Sequence, residues 1–200
     1  MPLKLEKIFP EKCYLLRSKD TFLFRFCNGA FGSKWAGVWN LGKKFIEYFA
    51  FQVNGEWLDF KNVVNFEYGW DWAVHEYKLN SLPIKVKEII RCLGNGIEIE
   101  LQTGEEVDIS LEIGVNIRKF DENEHKRKYW TKVGKNKLEI GSKLGSLEIS
   151  CNKNFEFEKW DLYRKHFPGK YVQNLGWKWY FEDTVQDVYN PGILKVKGRE

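Results

Sequence analysis

Nine tryptophans stand among the 200 residues, and six of them form close pairs: Trp35 with Trp39, Trp70 with Trp72, and Trp177 with Trp179. All six lie in loop-like or glycine-containing stretches. Aromatics two residues apart on an extended chain point the same way, so a pair can form an apolar platform. Such platforms stack the apolar C–H faces of sugar rings, while neighbouring Asp, Asn or Lys side chains bind the hydroxyls. Trp35, Trp39, Trp70, Asp71 and Trp72 are therefore the candidate substrate-binding residues. Filling a large core or an interface is the more frequent use of aromatics this size, and both readings stand at this point.

Acid–base chemistry has less to build on. A glycosidase-like mechanism needs two carboxyl groups about 5–10 Å apart in a cleft. Most Glu residues occupy alternate positions of strand-like runs (Glu98 and Glu100, Glu112, Glu156 and Glu158), which reads as a solvated sheet face. Glu182, Asp183 and Asp187 cluster with aromatics, but nothing local makes one an acid and another a base. No catalytic residue is assigned. Cys13, Cys27, Cys92 and Cys151 lack C-x-x-C spacing, so no metal site is expected; each adjoins an apolar stretch and reads as a buried thiol. His75, His125 and His166 are isolated in sequence, and no G-x-S-x-G, P-loop or G-x-G-x-x-G is present. No cofactor is expected.

The elements that must position these residues read as strand after strand. Thr21–Cys27, Lys44–Val53, Val63–Tyr68, Ala73–Leu79 and Ile84–Leu93 are β-rich runs. Asn54-Gly55 after the second of them is a strong hairpin signal. Gly94-Asn95-Gly96 turns the chain into IEIELQ, and Val107–Ile117 alternates over one long strand with Gly114 as an expected bulge. Tyr129–Val133, Lys137–Ile140, Ser146–Ser150 and Phe155–Lys159 continue the pattern. Only Lys159–Phe167 has helical spacing, with Trp160, Tyr163 and Phe167 at i, i+3 and i+7 before Pro168-Gly169. Charges on one strand face and apolar residues on the other imply antiparallel sheets packed face to face.

Composition agrees. There are only four alanines, the best helix former, and aromatics reach 16%. The expected fold is all-β: a large antiparallel two-sheet super-sandwich over a single domain spanning 1–200, with at most one short helix near 159–167 and a linker-like end at 190–200. A net charge of +4 from 32 basic and 28 acidic residues is too small and too evenly spread to mark a nucleic-acid binder. No apolar run approaches the roughly 20 residues that cross a bilayer, and no secretory signal opens the chain. The expected location is cytoplasmic, with no nucleic-acid or membrane partner. Twenty-five Lys, 20 Glu and four Gln are a thermophile-like balance.

Three segments carry a resemblance. Residues 26–51 (FCNGAFGSKWAGVWNLGKKFIEYFAF) look like the opening of the N-terminal domain of the glycogen-debranching (amylo-α-1,6-glucosidase) family, of an archaeal-like type. Residues 106–121 (EVDISLEIGVNIRKFD) resemble that family's long strand with its terminal Asn-Ile-Arg. Residues 163–193 (YRKHFPGKYVQNLGWKWYFEDTVQDVYNPGI) are similar to its closing segment, an acidic pair followed by an aromatic-Asn-Pro-Gly turn. The chain departs from the family in having Leu175-Gly176-Trp177 where an Arg-Gly pair precedes the acidic run, and Thr184 where a Leu follows it. The resemblance implies an antiparallel super-sandwich beside a separate helical (α/α)₆ barrel that carries the acid and base. The chain ends at Glu200, before such a barrel, so the expectation is an excised domain or a sandwich encoded alone.

The leading expectation is a non-catalytic accessory domain of a debranching-type glycoside hydrolase. Its partners would be a C-terminal catalytic domain, in cis or in trans, and an α-glucan or oligosaccharide. A free-standing carbohydrate-binding or protein-interaction module is the alternative. Trp177, Trp179, Glu182, Asp183, Asp187 and Tyr189 form the candidate seam with a partner domain, because aromatics ringed by polar residues match an interface hot spot. An ordinary final strand is the competing reading of the same segment.

Overall fold

A computed structural model describes residues 3–5, 12–83, 85–120, 122, 127–166 and 186–198. Among them the chain is all-β, with no helix. The strands are β1 (Leu3–Leu5), β2 (Cys13–Arg17), β3 (Thr21–Phe26), β4 (Gly37–Asn40), β5 (Lys43–Val53) and β6 (Glu56–Trp57). Then follow β7 (Val63–Tyr68), β8 (Trp72–Lys78), β9 (Lys85–Leu93), β10 (Gly96–Gln102) and β11 (Ile109–Lys119). The last are β12 (Trp130–Val133), β13 (Lys137–Ser142), β14 (Gly145–Ser150), β15 (Glu156–His166) and β16 (Gln186–Val196). Every pairing is antiparallel.

Three sheets form where two were expected. One runs β1-β7-β8-β9-β10 and the largest runs β15-β16-β11-β5-β4-β3-β2, with β6 pairing β5. These two are the sandwich. Leu16, Leu23, Val38, Phe49 and Ile113 of the larger sheet share one core with Phe66, Ala73 and Ile90 of the smaller. The third sheet, the meander β12-β13-β14, adds the fully buried Leu138 and Ile140 to that core. Each large apolar side chain so buried stabilises the fold by roughly 1.5–3 kcal/mol.

Local signals and outcome agree at the turns. Asn54 and Gly55 have φ of 49° and 79°, the positive pair a type I′ hairpin demands, and β6 follows at once. The pairing of β11 shifts register beside Gly114, where a bulge was expected.

Two expectations fail here. Lys159–His166 is not helical: Glu156–His166 is one strand paired with β16, and Phe167 lies outside the described residues. Lys159 faces Gly192 and Leu162 faces Asn190, so three steps on β15 match two on β16. The extra residue is a bulge at which Asp161 takes φ 55°, and it advances the side-chain phase so that the aromatics mimic a helical spacing. The linker-like end is also corrected. Asn190–Val196 lies inside β16, between β11 and β15, with Asn190, Ile193 and Leu194 buried.

Candidate ligand-binding face

The outer face of the eight-stranded sheet carries a cross-strand row set by register. Arg17 of β2 pairs with Phe22 of β3, Phe22 with Trp39 of β4, Trp39 with Lys44 of β5, and Lys44 with Arg118 of β11. Directly paired residues share a face, so cations and aromatics stand side by side across five strands. The Phe22 and Trp39 rings stack 5.7 Å apart at 9°. The Arg118 guanidinium lies 4.9 Å from the centre of Trp39, and Lys44 Nζ lies 5.6 Å from it. Beyond Arg17 the row reaches Trp70, at the tip of the β7–β8 turn, whose ring lies 5.7 Å from that guanidinium. Trp70 O accepts the Arg17 N–H at 3.2 Å, which fixes the turn against the end of β2.

The loop between β3 and β4 closes over the other end of the row. Its shape is held internally: Asn28 Oδ1 accepts the Ala30 N–H, and Ser33 Oγ accepts the Trp35 N–H. Trp39 Nε1 donates to Trp35 O at 3.0 Å. Lys44 Nζ and Arg118 Nη2 both donate to Lys34 O, at 2.9 and 3.0 Å. Gly37 makes the crossing possible, because a Cβ there would meet Ile46 O at 2.1 Å and Lys44 Cε at 2.8 Å. Lys44 is wholly buried and is paired with Glu47 at 2.7 Å, whose carboxylate also accepts from Asn116. Burial holds the Arg118 guanidinium below its ordinary range, against the pull of Glu47 and Glu122.

The expected sugar-platform residues thus divide. Trp39 is buried as the middle of the stack. Trp35 is 37% exposed and stacks on Phe120 at 4.9 Å, while Phe120 itself is 57% exposed. Trp70 is the most open tryptophan, 71% exposed, and Asp71 beside it is exposed with its carbonyl accepting the Cys92 N–H. Trp72 is half-buried with its ring over Gly69. Trp35, Trp39 and Trp70 therefore belong to one row, with Trp70 at one end and Trp35 with Phe120 at the other, while Trp72 lies against Gly69. Arg17, Phe22, Arg118 and Phe120 are the members that the sequence reading missed. A sequence signal for them exists only in part: NIRKF places Arg118 and Phe120 on one strand face. A groove of about 420 Å³ opens on the row, lined by Leu15, residues 17–22, Leu41 and Gly42.

A second polar cluster lies between the two large sheets. Arg25 of β3 donates to Glu88 of β9 at 2.8 Å, and Tyr77 of β8 donates to the same oxygen at 2.9 Å. His75 Nδ1 stands 3.3 Å from that oxygen, outside good hydrogen-bond alignment. Arg25 Nε donates to Gly29 O at 2.7 Å, and its guanidinium is flanked by Phe31 and Phe49 at 4.9 and 4.8 Å. Burial alone would raise the Glu88 carboxyl, but Arg25 and His75 beside it hold it down to about 2. Burial lowers His75 and raises Tyr77. The adjoining cavity is about 10 Å³, room for one water at most.

Other expectations are settled by placement. Glu98, Glu156 and Glu158 are exposed and ion-paired with Arg91, Lys197 and Lys195. Glu112, expected on a wet face, is instead buried and accepts from Tyr48 and Asn190 at 3.0 and 2.7 Å. The four thiols are free, but only Cys27 and Cys92 are buried; Cys13 sits exposed on the edge strand and Cys151 is half-buried. Burial pushes the Cys27 thiol up to about 12. Among the described residues no three His, Cys, Asp or Glu side chains converge as metal ligands. Of the candidate seam, Trp177, Trp179, Glu182 and Asp183 lie outside the described residues, and Asp187 faces Lys165 within the sheet. Tyr189 is core: it stacks on Tyr129 at 4.8 Å and 8°, and its hydroxyl donates to Asp161. No helix among the described residues is long and apolar enough to cross a membrane. No family model and no curated protein matches the chain.

Proposed function

We propose that the chain is a non-catalytic, cytoplasmic glycan-binding sandwich, the accessory domain of a debranching-type glycoside hydrolase, whose outer sheet face contacts α-glucan. The observation that carries the binding reading is the exposed Trp70 and Phe120 at the two ends of one stacked cation–aromatic row. Both rings are held in place, Trp70 by Arg17 and Phe120 by Trp35 and Trp39, so each offers a pre-positioned apolar surface to a ligand. The buried carboxylates favour binding over hydrolysis: Glu47, Glu88 and Glu112 are each committed to a hydrogen-bonded set inside the fold. The resemblance to the debranching family supports the accessory-domain part of the reading.

Isothermal titration with maltoheptaose and with branched glucan tests it. Binding that is lost in Trp70→Ala, with an unchanged circular dichroism spectrum, is the expected result. Glucose release by the pure chain that disappears with one carboxylate, or no saccharide binding at all, overturns it.

A further inference from the structure

The groove beside Trp70 has a chemistry of its own. Its lining comes from β2 (Leu15, Arg17), the β2–β3 turn (Ser18, Lys19, Asp20), β3 (Thr21, Phe22) and the β4–β5 turn (Leu41, Gly42). The side chains of Arg17 and Lys19 make no hydrogen bond or ion pair with any described residue. That sets Arg17 apart, because Arg25, Arg91, Arg118 and Arg127 each donate to a carboxylate or a carbonyl. Its guanidinium is instead steadied by the Trp70 ring, with its donors left over. Asp20 is the single acid in the lining, so the groove keeps a positive excess.

The rim carries a further departure. Leu41 and Gly42 form the two-residue turn between β4 and β5, with φ of 47° and 73°. The chain satisfies the same demand at Asn54-Gly55 with the residue best suited to it. At position 41 it holds a leucine, in a conformation leucine resists, with 73% of the side chain in solvent. Backbone strain of this kind clusters at sites that hold a ligand.

We infer that this groove binds an anionic group carried on a sugar, a phosphate or carboxylate substituent of the glycan, and so selects charged over neutral chains. The inference rests on the glycan-binding reading above. Arg17 and Lys19 grip the anionic oxygens, since a guanidinium fork matches either group bidentately. Phe22, Leu41 and Trp70 offer the apolar surface that the ring's C–H face requires. An acidic peptide would satisfy the two cations equally well, but a sugar ring also lays its flat C–H face against the half-exposed Phe22 and the exposed Trp70. The saccharide is therefore the occupant this groove fits.

The experiment titrates the protein with maltoheptaose, with maltoheptaose bearing one 6-phosphate, with inorganic phosphate and with a phosphoserine heptapeptide. The phosphorylated sugar is expected to bind at least about tenfold tighter than the neutral one. That gain, read as the ratio of phosphorylated-sugar to neutral-sugar affinity within each protein, should shrink in high salt and vanish in Arg17→Gln/Lys19→Gln. Both substituted side chains are exposed and unpaired, so the variant should keep the wild-type circular dichroism spectrum. Equal affinity for the two sugars, or a gain that survives the double substitution, overturns the inference and leaves the glycan-binding reading standing. Phosphopeptide or phosphate binding as tightly as the phosphorylated sugar also overturns it, because the sugar then contributes nothing. If neither sugar binds, the broader reading falls as well.

Discussion

Two clusters in this molecule are made of the same parts and do opposite things. Between the sheets, Arg25 is flanked by Phe31 and Phe49 and committed to Glu88, with Tyr77 and His75 closing the set. On the outer face, Arg17 is held by Trp70 and committed to no acceptor. The first adjoins about 10 Å³ of space and the second about 420 Å³. A buried guanidinium must satisfy its donors inside the chain, because leaving a charge unpaired in the core is far more costly than any single hydrogen bond returns. A guanidinium at a groove has water as its alternative and can wait for a ligand. Residue type therefore does not separate architecture from recognition here. Occupancy of the donors does.

Glu88→Gln is the sharpest way to break the comparison. It removes one charge from the interior cluster and leaves Arg25 buried without its partner, so about 3–5 kcal/mol of stability should go. Urea denaturation followed by circular dichroism measures it, and a loss below about 1 kcal/mol would show that the cluster is not held by charge. Trp39→Ala comes next. It deletes a buried ring that stacks on Phe22 and donates to Trp35 O, and about 3–5 kcal/mol is expected again. Unlike the first substitution, it should also abolish glycan binding at temperatures where the protein is still folded, because the row loses its middle.

Acid should weaken the interior cluster. Glu88 is held at about 2 against an ordinary 4.5, so the stability it contributes is present above pH 4.5 and is lost as pH falls toward 2. His75 is lowered from 6.5 by burial; its neutral form is the folded one, and its contribution begins to fade as pH drops below 6.5. Both effects have the same sign. The thermal midpoint should fall between pH 7 and pH 5 in the wild type and stay flatter over that interval in His75→Gln. A midpoint that rises on acidification contradicts the assignment.

How much of this was legible follows from what each feature depends on. Strand positions are local, and alternation with Asn-Gly turns located most of them within a residue or two. The helical reading of Lys159–Phe167 failed because one bulge at Asp161 shifts a period of two by a single step. Glu88 could have been noticed: it stands in phase with Val86 and Ile90 on the apolar face of its strand, as His75 does with Ala73 and Tyr77. A titratable residue on the buried phase requires a partner, and that partner, Arg25, is 63 residues away and beyond local inference. The outer row was half legible. The tryptophans were visible as pairs, but which of them is covered depends on the loop from Asn28 to Ala36 folding back onto β4. The third sheet was not anticipated, since pairing of β12 to β14 with one another and not with the main sheet is decided by packing.

Trp70→Ala should leave stability within about 0.5 kcal/mol, because the ring is mostly in solvent, while removing the open end of the row. Paired with Glu88→Gln it completes the contrast: one substitution costs the fold and the other costs only the ligand. A Trp70→Ala variant that binds glycan as the wild type does would place recognition elsewhere.

Leu41→Asn is expected to change stability with the opposite sign. Leu41 sits at φ 47°, where asparagine is several-fold better tolerated than leucine and where the chain's own Asn54 shows the fit. Its side chain is largely exposed, so little packing is lost on replacing it. Relief of local strain should therefore raise stability by about 0.5–1 kcal/mol. If position 41 is kept as leucine to meet a sugar, the same change should weaken binding of the phosphorylated maltoheptaose severalfold, a trade of affinity for stability at one residue. Thermal unfolding and titration on one preparation measure both quantities. A gain in stability with unchanged affinity would make Leu41 an ordinary imperfect turn residue and leave Arg17 and Lys19 to carry the groove without it.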